Sequence, residues 1–208
     1  MQIPEGLIAV VKQDCPTCVL VNPVLKSIEN SGAALTVYVQ DQPDFPSTRQ
    51  AIDDRSLEAS YRLHIETVPT LIKIEGGREA ARVVGWERDE WRALTGMANL
   101  GESLPQYRPG CGSLAVQPGI AERLALRYGD FRISSRELAV PELSDSIEYC
   151  FERGWSDGLP VVPPTAERIY RMLKATARAP HEVLGRMPPL LTDCTVEKVA
   201  INAVLAGC

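Results

Sequence analysis

A short apolar run that breaks into a two-cysteine turn constrains this chain more than any other feature. Leu7-Ile8-Ala9-Val10-Val11 lies between Gly6 and Lys12. Asp14-Cys15-Pro16-Thr17-Cys18 follows, and then Val19-Leu20-Val21-Asn22-Pro23-Val24-Leu25. A run this short and without polar alternation reads as a central strand buried on both faces. Val21, Val24, Leu25 and Ile28 recur at helical spacing, and Asn30-Ser31-Gly32 supplies a stop, so a helix is expected over about residues 18–29. Pro23 should bend that helix without ending it. Cysteines at this spacing in a first helical turn come close enough to form a disulfide. The unpaired amides and positive dipole end there stabilise a thiolate on the first. Cys15 is therefore the expected nucleophile at an exposed helix terminus, and Cys18 the resolving thiol. The same C-x-x-C spacing also serves as half of a zinc site, an alternative that the pair alone leaves open.

Leu35-Thr36-Val37-Tyr38-Val39 is β-branched and aromatic and reads as a second buried strand parallel to the first. A helix around residues 56–63 fits a βαβ order, with an extra helical turn near residues 47–52. Leu71 to Ile74 and Ala80 to Val84 flank Gly76-Gly77, whose positive φ values suit a tight hairpin. Trp91, Leu94 and Met97 then line one face of a helix over about residues 87–98. His64 reads either as a surface loop residue or as a group near the thiols.

These placed features resemble the thioredoxin superfamily over roughly residues 1–98. The likeness rests on Cys15-Pro16-Thr17-Cys18, on Pro23 five positions later, on Val68-Pro69-Thr70 before a strand, and on the glycine hairpin that follows. The resemblance implies a thioredoxin-like α/β fold, a central mixed sheet flanked by helices. It also implies a thiol–disulfide oxidoreductase in which Val68, Pro69 (in a cis peptide) and Thr70 face the cysteine pair, and with Pro16 and Thr17 meet an extended substrate. Members of that family usually carry an aromatic residue directly before the first cysteine and a buried carboxylate six positions before it. Here those positions hold Asp14 and Ala9, so proton handling at Cys18 has no assigned group, and Asp14 should oppose a thiolate on Cys15 by like charge.

Beyond residue 98 the composition shifts, and ten of the sixteen prolines fall in residues 99–208. Residues 99–118 are rich in glycine and proline and are expected to be a linker. Within them Pro109-Gly110-Cys111-Gly112-Ser113 sets a thiol between glycines. Cys111 is either an incidental cysteine or an additional functional thiol, redox-active in itself or the in-chain target of Cys15. Residues 119–208 are expected to form a smaller, mainly helical region with helices near 118–128, 144–154 and 166–177. The loop from Gly154 to Thr165 either lines a site or is a stiff connector. This half resembles a segment of larger bacterial proteins that carry a Gly-Trp-x-Asp-Gly-Leu-Pro-Val-Val-Pro-Pro-Thr run and a later Thr-Val-Glu-Lys-Val-Ala-Ile-Asn-Ala-Val-x-Ala-Gly-Cys run. No activity follows from that likeness. The closing helix, Thr195 to Cys208, is apolar nearly all round, so it is expected to be completed by further chain or covered in an oligomer.

With 45% hydrophobic and 24% charged residues, the 208-residue chain has the make-up of a globular protein. A net charge of -5 with scattered basic residues argues against nucleic acid as a partner. No apolar stretch suggests a membrane or a signal segment, and a cytoplasmic location is expected. The six cysteines would then be mostly free thiols. The expected partner is a protein or small-molecule disulfide together with a reductant of unknown identity. No cofactor is called for, and no metal, because no Cys/His cluster supplies the remaining ligands of a zinc site. A scaffold module that docks partners through the same proline groove is the alternative from another functional class.

Overall fold

The computed structural model describes residues 3–48, 51–141 and 144–208 and divides the chain into two compact units, Met1–Leu124 and Ala125–Cys208. In the first unit β1 (Gly6–Val11) leads through the cysteine turn into α1 (Pro16–Asn30), and β2 (Leu35–Val39) then runs parallel to β1 with Leu7 opposite Leu35 and Val11 opposite Val39. After β3 (Ala51–Asp53), α2 (Glu58–Arg62) and the two-residue β4 (Thr67–Val68), the hairpin β5 (Thr70–Glu75) and β6 (Arg78–Val84) completes a five-stranded mixed sheet in the order β3-β2-β1-β5-β6. β1 is central and buried from Leu7 to Val11, which is why its sequence lacks alternation. Gly76 and Gly77 adopt φ of +60° and +73°, the left-handed pair that a two-residue turn between twisted strands requires.

The extra helical turn expected near residues 47–52 is not the structure's solution. Positions 49 and 50 lie outside the described residues, and Ala51–Asp53 is a strand paired in parallel with β2. Beyond β6 come β7 (Trp86–Glu87) and α3 (Arg88–Thr95), capped at its start by Glu87 and ended by Gly96 in the left-handed region. Trp86 and Trp91 are fully buried and meet edge to face at 5.2 Å.

Residues 99–118, expected to be a linker, are part of this unit. Leu100 joins the core, Trp86 Nε1 donates to Pro105 O at 2.7 Å, and Arg92 Nε donates to Leu100 O at 2.9 Å. β8 (Tyr107–Arg108) pairs with β7, and β9 (Cys111–Gly112) pairs antiparallel with β4, setting Cys111 opposite Val68. A single 3-10 turn, Leu114–Val116, follows. Residues 107–113 thus form a strap that pairs first with β7 and then with β4. The glycines read as flexible punctuation are needed for contact: a Cβ on Gly110 would lie 2.7 Å from Val68 O and run into the Thr67 methyl.

α4 (Ile120–Tyr128) contains the boundary between the two units. The second unit holds α5 (Ser146–Glu152), α6 (Ala166–Lys174), a hairpin of β10 (Val183–Met187) and β11 (Thr192–Thr195), and α7 (Val196–Leu205). The region expected to be mainly helical therefore includes an antiparallel sheet, with Arg186 opposite Asp193. Thr165 and Thr195 cap α6 and α7 through their hydroxyls, and Ile169, Leu173, Val196 and Ala200 form the buried cluster between those helices. α7 is less enclosed than its composition suggests, since Val199 is 45% exposed.

Candidate active site

Cys15 closes the β1 turn with extended backbone, φ -153° and ψ 110°, and acts as the N-cap of α1 through its sulfur. The Cys18 amide donates to Cys15 Sγ at 3.3 Å. A serine or aspartate oxygen usually fills this role; here the acceptor is the sulfur itself, so the first turn of the helix stabilises negative charge on it. The Cys18 thiol favours that charge most, and the nearby Cys111 thiol and the Thr17 and Cys18 amides add to it. Together these outweigh the cost of burial and pull the Cys15 thiol from 9.0 down to about 5. Asp14 is exposed, and the groups that most strongly set the Cys15 value do not include it. Its amide and that of Gln13 donate to the Asp41 carboxylate at 2.8 Å, which pins the turn from outside.

Cys18 behaves oppositely. It is fully buried on α1, and burial first, then its hydrogen bond to a charged Cys15, push its thiol far above the ordinary range. The surroundings of the two sulfurs therefore favour charge on Cys15 and a retained proton on Cys18. Both sulfurs are free in this structure.

The turn faces β4 and the strap. Cys15 Sγ, when protonated, donates to Val68 O at 3.5 Å, and Thr17 Oγ1 donates to Pro109 O at 2.7 Å. The Val68–Pro69 peptide is cis, Pro69 O accepts from the Gly85 amide at 2.7 Å, and Thr70 Oγ1 donates to Thr67 O at 2.7 Å. The Val68, Pro69 and Thr70 segment expected to meet a substrate thus lies against Cys15 with much of its backbone already engaged by the protein itself. Pro16 is exposed beside it. One expectation fails at this point: Cys15 is not at an exposed terminus but only 1% accessible, with β4, the strand that the strap pairs with, against its sulfur. Cys111 is half-buried on that strap, its thiol raised by burial and by the neighbouring charged sulfur.

Sequence reasoning noted Lys12 only as the charge that interrupts an apolar run. It is 8% exposed, and its ammonium donates to Gly112 O at 2.9 Å, tying the end of β1 to the strap. Its charge also faces Cys111, and its backbone amide faces Cys18. The available signal was position: a lysine directly after a buried central strand and three residues before the first cysteine has to bury its stem. His64 is an exposed turn residue at φ +51°, with its carbonyl bonded to Arg82.

The far end of the strap is locked by buried polar groups. The Gln40 amide donates to Ser60 Oγ and Ser113 Oγ at 2.7 Å each, the Leu114 amide returns a hydrogen bond to Gln40 Oε1, and Ser60 Oγ donates to Asp54 at 2.6 Å. Burial raises the Asp54 carboxyl despite these hydrogen bonds. Among the described residues no group of three or more His, Cys, Asp or Glu side chains is arranged to hold a metal, and no helix is long and apolar enough to cross a membrane.

No family model matches this chain, and no curated protein does. A solved structure with some likeness is that of StoA from Bacillus subtilis, 14% identical, covering 44% of this chain and 82% of that one at a TM-score of 0.34. At that score the likeness carries no argument. The first unit is an α/β arrangement with a central mixed sheet whose first helix begins between two neighbouring cysteines.

Proposed function

We propose that the first unit is a thioredoxin-like domain acting as a thiol–disulfide oxidoreductase. The observation that carries this reading is the division of labour between the two sulfurs: one caps a helix as a stabilised thiolate, the other is buried and protonated beside it. The Cys15 thiolate attacks one sulfur of a protein or small-molecule disulfide and expels the other as a thiolate, leaving a mixed disulfide. Forming that bond removes the charge and the hydrogen-bond acceptor that held the Cys18 proton. Cys18 then loses it more readily and attacks Cys15, which forms the internal disulfide and releases the second substrate thiolate. An external reductant restores both thiols, in keeping with a reducing, cytoplasmic setting. Pro16, Thr17, Val68, Pro69 and Thr70 are assigned to substrate contact, with Val68 O 3.5 Å from the Cys15 sulfur in support.

Reduction of insulin disulfides tests this. The wild-type protein should accelerate it, and Cys15→Ser should fall to the uncatalysed rate; equal rates for the two would end the proposal.

A further inference from the structure

We propose that Cys111 is the third redox thiol of this site: the strap seats it against Cys15 as a built-in substrate, and the oxidised protein interchanges a Cys15–Cys111 disulfide with a Cys15–Cys18 disulfide. This inference rests on the reading of Cys15 as the nucleophile and names the partner it meets first.

Four observations place Cys111 there. The antiparallel pairing sets Cys111 opposite Val68, the residue whose carbonyl lies 3.5 Å from Cys15 Sγ. Thr17, inside the cysteine turn, fastens the neighbouring Pro109. Gly110 has no side chain where one would strike Thr67 and Val68, and a Cβ on Gly85, at φ +76°, would come within 3.0 Å of Gly110 N. Lys12 and the Gln40–Ser113 hydrogen bonds hold the strap just beyond the thiol. An extended segment added to a strand edge, with its cysteine against a reactive sulfur, is how a foreign peptide would be received by β-augmentation. Here the chain supplies that segment. The Cys111 thiol is raised in part by the Cys15 sulfur, which agrees with this placement.

The oxidant is an external disulfide. One protein thiolate attacks it and expels one thiolate; the second protein thiolate attacks the resulting mixed disulfide at the protein sulfur and expels the other. Two electrons pass from two protein thiols to the external disulfide, and their two protons end on the two thiols released. The interchange needs no further oxidant. The Cys18 thiolate attacks Cys15, the Cys15–Cys18 bond forms as the Cys15–Cys111 bond breaks, and the proton lost by Cys18 ends on Cys111, whose departing negative charge faces Lys12.

The test uses the full chain, fully reduced, then treated with glutathione disulfide, quenched in acid, alkylated, and mapped for disulfides by mass spectrometry. Cys18→Ser and Cys18→Ala are both used, so that a polar group in a buried position does not decide the result. In both variants the Cys15–Cys111 peptide should exceed the Cys15–glutathione peptide by about tenfold or more, because an intramolecular partner acts at a high effective concentration. Adding Cys111→Ser to either should convert that species to the glutathione adduct. If the Cys18 variants carry glutathione on Cys15 while Cys111 stays free, the inference is overturned and the nucleophile assignment stands. If Cys15 reacts with nothing in any variant, both fall.

Discussion

The two units bury charge and polarity to different ends. In the first, a sheet covered on both faces already provides a large apolar core. Its buried polar groups include Lys12, which ties the end of β1 to the strap beside the cysteine turn, and Gln40, Ser60, Ser113 and Asp54, which lock the far end of the strap. In the second, the buried apolar cluster is small, and a fully buried carboxylate does structural work: Glu197 accepts from the Ser134 amide at 3.0 Å, from the Ser135 amide at 2.7 Å and from both serine hydroxyls. Burial alone would raise the Glu197 carboxyl, but these donors outweigh it and hold it below its ordinary 4.5. Buried polarity therefore positions a reactive group in one unit and substitutes for missing core in the other.

Substitutions should separate the two roles. The largest effect is expected from Trp91→Ala, which removes a fully buried ring from the first core and should cost about 3–5 kcal/mol in denaturant unfolding. Next comes Glu197→Gln, expected to cost about 1–3 kcal/mol by weakening four hydrogen bonds around a buried group. Its sign with pH is fixed by the depressed carboxyl. The contribution of Glu197 is fully present above 4.5 and is lost as the pH falls through the lower folded value, so wild type and variant should converge in acid. An undiminished difference there would show that Glu197 acts through packing and not through its charge.

The first unit offers a sharper contrast in Gly110→Ala. It should disturb the strap by about 1–3 kcal/mol of overpacking and speed alkylation of Cys15 by several-fold, because cover and not ionisation limits access to that sulfur. Slower or unchanged labelling would mean that the strap does not shield it. The smallest effect is expected from Ser113→Ala, about 1 kcal/mol, since the Gln40 amide keeps its bond to Ser60.

The sequence made the sheet legible and the strap illegible, for physical reasons. Leu7–Val11, Leu35–Val39 and the hairpin around Gly76-Gly77 are strands whose burial or turn chemistry is written in consecutive residues, and the helix after Cys15 announces itself by spacing. β4, β8 and β9 are two residues each, too short for any period, and are held by partners distant in sequence. Pro109-Gly110-Cys111-Gly112 looks like a linker because glycine marks both a free chain and one pressed against another backbone, and only the neighbour tells which. The same blindness made Cys15 look exposed: the helix terminus was legible, its cover was not. The β10–β11 hairpin escaped notice because its strands are largely exposed and carry no apolar alternation.

The central claim is that the two neighbouring cysteines are divided at neutral pH into a thiolate and a thiol. Because the folded Cys15 titrates at about 5 against an ordinary 9.0, the stability that its charge contributes should be fully present above pH 9.0 and lost as the pH falls toward 5. The direct measurement is the ultraviolet absorbance of thiolate in the reduced, folded protein as pH is raised, with Cys15→Ser as the reference, because absorbance reports ionisation without requiring access to the sulfur. The account predicts one thiolate appearing with a midpoint near pH 5, absent from Cys15→Ser. If no thiolate appears until the pH approaches the ordinary 9.0, the division between Cys15 and Cys18 does not exist and the account is wrong.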